Sequence, residues 1–118
     1  MAVTAAQTAA TLRGQAREAR ARDVARAAEV RGIVLGIVRP RLPAGARAWL
    51  IGTLAWGEFG ARSDVDLVFE GTPDATITDI ETELTRAAKV EVDALRLDDL
   101  PGPFRARVLR EGIALDGG

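Results

Sequence analysis

The chain has 118 residues, enough for one compact domain, and its 47% apolar and 28% charged composition is that of a globular protein. It contains no Cys, His or Tyr, which excludes disulfide scaffolds, thiol and imidazole catalysis and the usual zinc sites. The net charge of −1 hides an asymmetry: residues 1–47 carry nine Arg against Glu18, Asp23 and Glu29, a balance of +6, whereas residues 48–118 carry six Arg and Lys89 against fourteen acids, a balance of −7.

In chain order, residues 4–39 predict a long helix, free of proline until Pro40. Val24, Ala27, Val30, Val34, Ile37 and Val38 recur at spacings of three and four, the mark of a buried stripe. Gly14, Gly32 and Gly36 weaken that helix. Periodicity is clear over 20–39, so residues 1–19 read as an N-terminal helical extension, frayed or ordered by a partner. Its arginines alternate with alanines and have no aromatic neighbours, which suits a solvated face and argues against direct nucleic-acid binding. There is no run of 18 apolar residues to cross a membrane and no apolar core of a secretory signal, so the expected location is cytoplasmic.

Pro40 and the Leu42–Gly45 stretch turn the chain. Arg47–Gly52 reads as a first strand, 53–63 as a glycine-punctuated connection, and Asp64–Glu70 as a second strand. Residues 76–88 return to helical spacing through Ile77, Ile80 and Leu84, with Thr76 and Asp79, or Thr78 and Glu81, as a capping box. Val90–Leu97 alternates as a third strand, 104–111 forms a short basic helix stopped by Gly112, and Ile113–Leu115 forms a last strand before a loose end. With no repeat or linker, the chain predicts one α/β (α+β) domain over 20–116, a small mixed sheet flanked by helices.

Chemistry concentrates at two strand ends. Asp64 and Asp66, two apart on a strand, project from the same face. Adjacent carboxylates repel unless a cation lies between them, and hard oxygen ligands without His or Cys point to Mg2+ or Mn2+. Asp93, mid-way along the third strand, completes a three-carboxylate set if the second and third strands are neighbours. Such a set suits metal-assisted phosphoryl or nucleotidyl transfer. Gly52 permits close backbone approach, and Thr53 offers a hydroxyl where the next helix begins, a receptor for the outer phosphates of a nucleotide.

The segment GTLAWGEFGARSDVDL resembles the signature of the minimal nucleotidyltransferases, a branch of the DNA polymerase beta superfamily. Gly52, Thr53, Ala55, Gly57, Ser63, Asp64, Val65 and Asp66 fill that pattern, and the resemblance continues through EVDALRLDDL and FRARVLREGIAL. It implies a polymerase-beta-like fold with a long N-terminal helix. It also implies Asp64, Asp66 and Asp93 as catalytic and metal-binding residues, and Gly52, Thr53, Gly57 and Ser63 at the nucleotide. Two departures stand out: Thr53 replaces the family's usual Ser, and Trp56 occupies a position where relatives often carry Arg.

The activity so implied is Mg2+-dependent transfer of a nucleoside monophosphate, AMP from ATP or another NTP, with release of pyrophosphate. No residues remain for an acceptor domain, so the acceptor surface belongs to an oligomer or a second protein. The resemblance names an HEPN-type RNase toxin, making the chain an antitoxin. A contact-only antitoxin and a small-molecule transferase acting on an alcohol such as an aminoglycoside are the alternatives. Ordinary structural roles account for other conspicuous residues: Trp49 as core, Trp56 as packing ahead of base stacking, and Arg105, Arg107 and Arg110 as a wet helix face.

Overall fold

The computed structural model describes residues 4–117. A helix α1 (Ala5–Val38) leads into strand β1 (Arg47–Ile51), a single helical turn and a half α2 (Gly52–Trp56), and strand β2 (Val65–Glu70). Helix α3 (Asp74–Ala88), strand β3 (Val92–Arg96), a 3-10 turn at Leu97–Asp99, helix α4 (Gly102–Glu111) and the two-residue strand β4 (Ile113–Ala114) complete the chain. The strands form one mixed sheet in the order β3-β2-β1-β4; β1 is antiparallel to β2 and β4, and β2 is parallel to β3. The parallel pair is joined through α3, the crossover that parallel pairing requires. Among the described residues no helix is long and apolar enough to cross a membrane.

Alternation sorts the strand residues onto two faces. Ala48, Leu50, Val65, Leu67 and Phe69 point to one side and meet Val30, Val34 and Val38 of α1 and Ile77, Ile80 and Leu84 of α3. Trp49, Ile51 and Val68 point to the other side and meet Leu97 and Val108. Trp49 is thus core, as its apolar strand predicts. Burial of these side chains, each contributing about 1.5–3 kcal/mol, holds the helices to the sheet.

Residues 5–19 continue α1 without a break. Thr4 closes the start with a reciprocal capping box: its hydroxyl accepts from the Gln7 N–H at 3.1 Å, and the Gln7 side chain accepts from the Thr4 N–H at 2.8 Å. The first buried residue of α1 is nevertheless Ala27. Val24, expected in the buried stripe, is 68% exposed, because the helix has already run past the edge of the sheet there. Helix α3 starts two residues earlier than its spacing predicts, behind Pro73 and without a side-chain cap, so neither expected capping box forms. Proline's fixed φ supplies the helix entry instead.

Candidate active site

β1 ends at Ile51, and the chain turns at once into α2 through Gly52, whose φ of +75° lies in the left-handed region. A Cβ at Gly52 would collide with Oδ2 of Asp66. Glycine is therefore required twice over, for the backbone turn and for the Asp66 carboxylate that lies against it. Asp66 pairs in register with Ile51 on one side and with Asp93 on the other. Asp66 and Asp93 are level on adjacent parallel strands and share a face, and Asp64, two residues before Asp66, precedes the strand.

The three carboxylates differ in setting. Asp93 is exposed, while Asp64 and Asp66 are half-buried. Burial raises the proton affinity of Asp66 above the ordinary carboxylate range, and the negative charges of Asp93 and Asp64 raise it further. Among the described residues no three acidic side chains stand close enough together to hold a metal ion between them. In chemistry the set fits a hard divalent cation: oxygen donors only, and an ionised Asp66 that lacks a compensating positive charge.

Thr53 is exposed beside this end of the sheet. Gly57 closes α2 at φ +113°, its N–H donating to the Thr53 carbonyl at 2.8 Å. Ser63 folds the connection back on itself. Its hydroxyl accepts from the Gly60 N–H at 2.9 Å and its N–H donates to the Gly60 carbonyl at 3.1 Å, which leads the chain into Asp64. Ser63 thus shapes the loop, and Thr53 is the open hydroxyl.

Beside Thr53 and Gly57 lies a groove of about 590 Å3 between the connection and α1. Its α1 wall comprises Arg20, Asp23, Val24, Ala27 and Arg31, and Glu58 and Phe59 stand opposite. Sequence reasoning missed this wall, although positions 20, 24, 27 and 31 share a helix face at spacings of three and four. Trp56 does not line it. Its indole N–H donates to the Glu111 carbonyl at 2.9 Å, and the Arg107 guanidinium lies 4.1 Å from its ring centroid. Trp56 therefore joins α2 to α4 at the surface rather than packing in the core or offering a face to a base. Arg105, expected on a wet face, donates to the carbonyls of Leu97, Asp98 and Leu100 and ties α4 to the 3-10 turn.

No family model matches the sequence, and no curated protein matches it. Solved structures do. A candidate minimal nucleotidyltransferase is 28% identical, with a TM-score of 0.54 over 73% of this chain and 88% of the other. The chain has the minimal nucleotidyltransferase fold. Two toxin–antitoxin structures share it. One, with AMP-PNP, has a TM-score of 0.59 at 19% identity over 74% of this chain and 73% of the other. The second, a mutant of MntA-HpeT, has a TM-score of 0.55 at 16% identity over 72% and 70%. That mutant replaces two aspartates, spaced two positions apart, with glutamate. The likeness to a minimal nucleotidyltransferase supports nucleotidyl transfer as the activity of this chain.

Proposed function

We propose that the protein transfers a nucleoside monophosphate, AMP from ATP, to a hydroxyl of a protein partner, and that the partner is an HEPN-type toxin which this chain neutralises. The observation that carries this reading is the register of Asp66 with Asp93, with Asp64 alongside and Gly52–Thr53 at the same sheet end. The structural neighbours lend the partner: two are toxin–antitoxin structures, one with a nucleotide analogue.

Asp64, Asp66 and Asp93 would hold Mg2+ or Mn2+, which when bound neutralises phosphate charge and acidifies the acceptor hydroxyl. Thr53 donates its hydroxyl hydrogen to the outer phosphates. Gly52, lacking a Cβ, lets them approach the backbone. Asp93, the most exposed of the three carboxylates, takes the acceptor's proton as the acceptor oxygen bonds to the α-phosphorus. The bond to the β-phosphate bridging oxygen breaks, and pyrophosphate leaves with the electron pair. In this reading the acceptor hydroxyl belongs to the partner, which brings it to the carboxylates.

The test is incubation of the purified protein with Mg2+, ATP labelled at the α-phosphate, and the product of the neighbouring gene. Label on that product supports the reading. A tight complex that stays unlabelled, with the toxin still silenced, makes the chain a contact antitoxin instead. Label on an aminoglycoside-like alcohol and none on protein makes it a small-molecule transferase.

A further inference from the structure

Resting on that functional reading, we propose that the acceptor partner docks by strand addition: an extended, basic segment of it pairs with the free edge of β3 and sets its hydroxyl residue opposite Asp93. The sheet order β3-β2-β1-β4 leaves two edges. The β4 edge is blunted, because that strand is only two residues long. The β3 edge runs over Val92–Arg96 with no proline, glycine or lysine to break it. β2 occupies the other side of β3, where the Val65 N–H donates to the Glu91 carbonyl at 2.9 Å. Backbone groups alternate along a strand, so those of Asp93 and Leu95 point to β2 and those of Val92 and Ala94 point outward. Among the described residues no other strand or turn pairs with the outward groups.

The two charged residues of this edge do not guard it. Arg96 is drawn away, donating to the Thr72 carbonyl at 2.9 Å and pairing with Asp74. Asp93 belongs to the carboxylate set, level with Asp66. A segment laid along the edge therefore extends the row Ile51, Asp66, Asp93 by one position. Directly opposite side chains on neighbouring strands stand about 5 Å apart, which brings the hydroxyl of a serine or threonine there within hydrogen-bond reach of the Asp93 carboxylate. In the next row, Trp49 and Val68 are buried beneath Leu97 and Val108, whereas Leu95 is left 38% exposed. An apolar residue two places along the segment covers it. The charge of the segment follows from its surroundings. From Lys89 to Asp99 the chain carries Glu91, Asp93, Asp98 and Asp99 against Lys89 and Arg96, and Arg96 is already paired. Lys or Arg beside the hydroxyl residue answers that excess, while main-chain pairing supplies affinity.

The experiment uses the full chain with Mg2+, ATP labelled at the α-phosphate and the product of the neighbouring gene. Amide hydrogen exchange is read on the wild type alone and in the complex, where the Val92 and Ala94 amides should exchange at least about tenfold more slowly. Ala94→Pro removes an outward N–H at an edge position, where proline is tolerated. It should keep the melting temperature and Mg-ATP affinity of wild type and lower kcat/KM for labelling the partner by about tenfold, the worth of one backbone hydrogen bond. Asp98→Asn combined with Asp99→Asn should raise KM for the partner in low salt and leave kcat unchanged. A complex in which both amides exchange as in the free protein overturns the inference alone, and this readout carries the test if Ala94→Pro unfolds. So does labelling by Ala94→Pro at the wild-type rate, or an unchanged KM in the doubly neutralised variant. A wild type that labels no partner overturns the functional reading, and the inference with it.

Discussion

Asp66 and Asp93 stand level on adjacent parallel strands, on the same face and with no basic residue in register beside them. The pair therefore costs stability whenever both are ionised. Since the proton affinity of Asp66 is raised in the folded state, the folded protein binds more protons than the unfolded chain between the ordinary aspartate value and the raised one. Stability then falls as pH rises through that window, and the full penalty applies above it. Asp66→Asn removes the ionising group, so in EDTA it should melt above wild type near neutral pH. The advantage should vanish below the ordinary aspartate range. Melts of both proteins across pH check this. A variant less stable than wild type at neutral pH contradicts it.

The same substitutions separate stability from activity. Asp64→Asn and Asp66→Asn should each abolish transfer while the fold persists, because neither side chain belongs to the apolar clusters. Asp93→Asn should keep most nucleotide affinity and lose about 10²–10⁴-fold in turnover, the usual share of general-base catalysis. A parallel collapse of affinity in Asp93→Asn would place it with Asp64 and Asp66 as a nucleotide-side ligand.

Gly52 allows a sharper structural test. Gly52→Ala meets both a left-handed φ and the Asp66 carboxylate, so something must move. The backbone strain alone is about 1–2 kcal/mol, and the displaced carboxylate should take Mg-nucleotide binding with it. A thermal melt and a binding isotherm on one sample measure both effects. An unchanged isotherm would mean that the position of Asp66 does not matter to the site.

Arg105→Ala should destabilise the protein by about 1–3 kcal/mol, since it strips three carbonyls of their donor and loosens α4 from the 3-10 turn. Arg110→Ala, on an exposed side chain whose one ion pair is 3.9 Å long, should change stability by less than about 0.5 kcal/mol. Urea titrations of the two variants give the contrast.

Removal of residues 1–19 should leave the melting temperature of the remainder nearly unchanged, since no described residue before Ala27 is buried. If that stretch serves the partner, complex formation weakens while ATP binding by the isolated protein holds. A truncated protein that loses ATP binding would place the extension within the catalytic unit.

The strands and the carboxylate set were legible in the sequence because both rest on short-range rules. A short apolar run ending in glycine marked β1, period-two alternation marked β2 and β3, and alternation also put Asp64 and Asp66 on one face. The level pairing of Asp66 with Asp93 needed one long-range fact, the adjacency of β2 and β3. The misreadings share a cause. Val24 continues a perfect helical stripe, yet the sheet beneath it has ended. Arg105 and Trp56 look like surface and core residues, but their roles depend on carbonyls that α4 and the 3-10 turn present only after packing. The groove along α1 was hidden for the same reason: a helix wall becomes a groove only when a loop distant in sequence settles opposite it.

The overhang of α1 also governs how the protein travels through solution. The molecule measures 66 × 31 × 21 Å with a radius of gyration of 18.1 Å. A compact chain of this length would have a radius of gyration near about 13.5 Å. Such a rod-and-head particle tumbles slowly and elutes early, so a monomer on a sizing column imitates a dimer. Light scattering or sedimentation equilibrium, which report mass independently of shape, are the measurements by which its assembly with itself or with a toxin is to be counted.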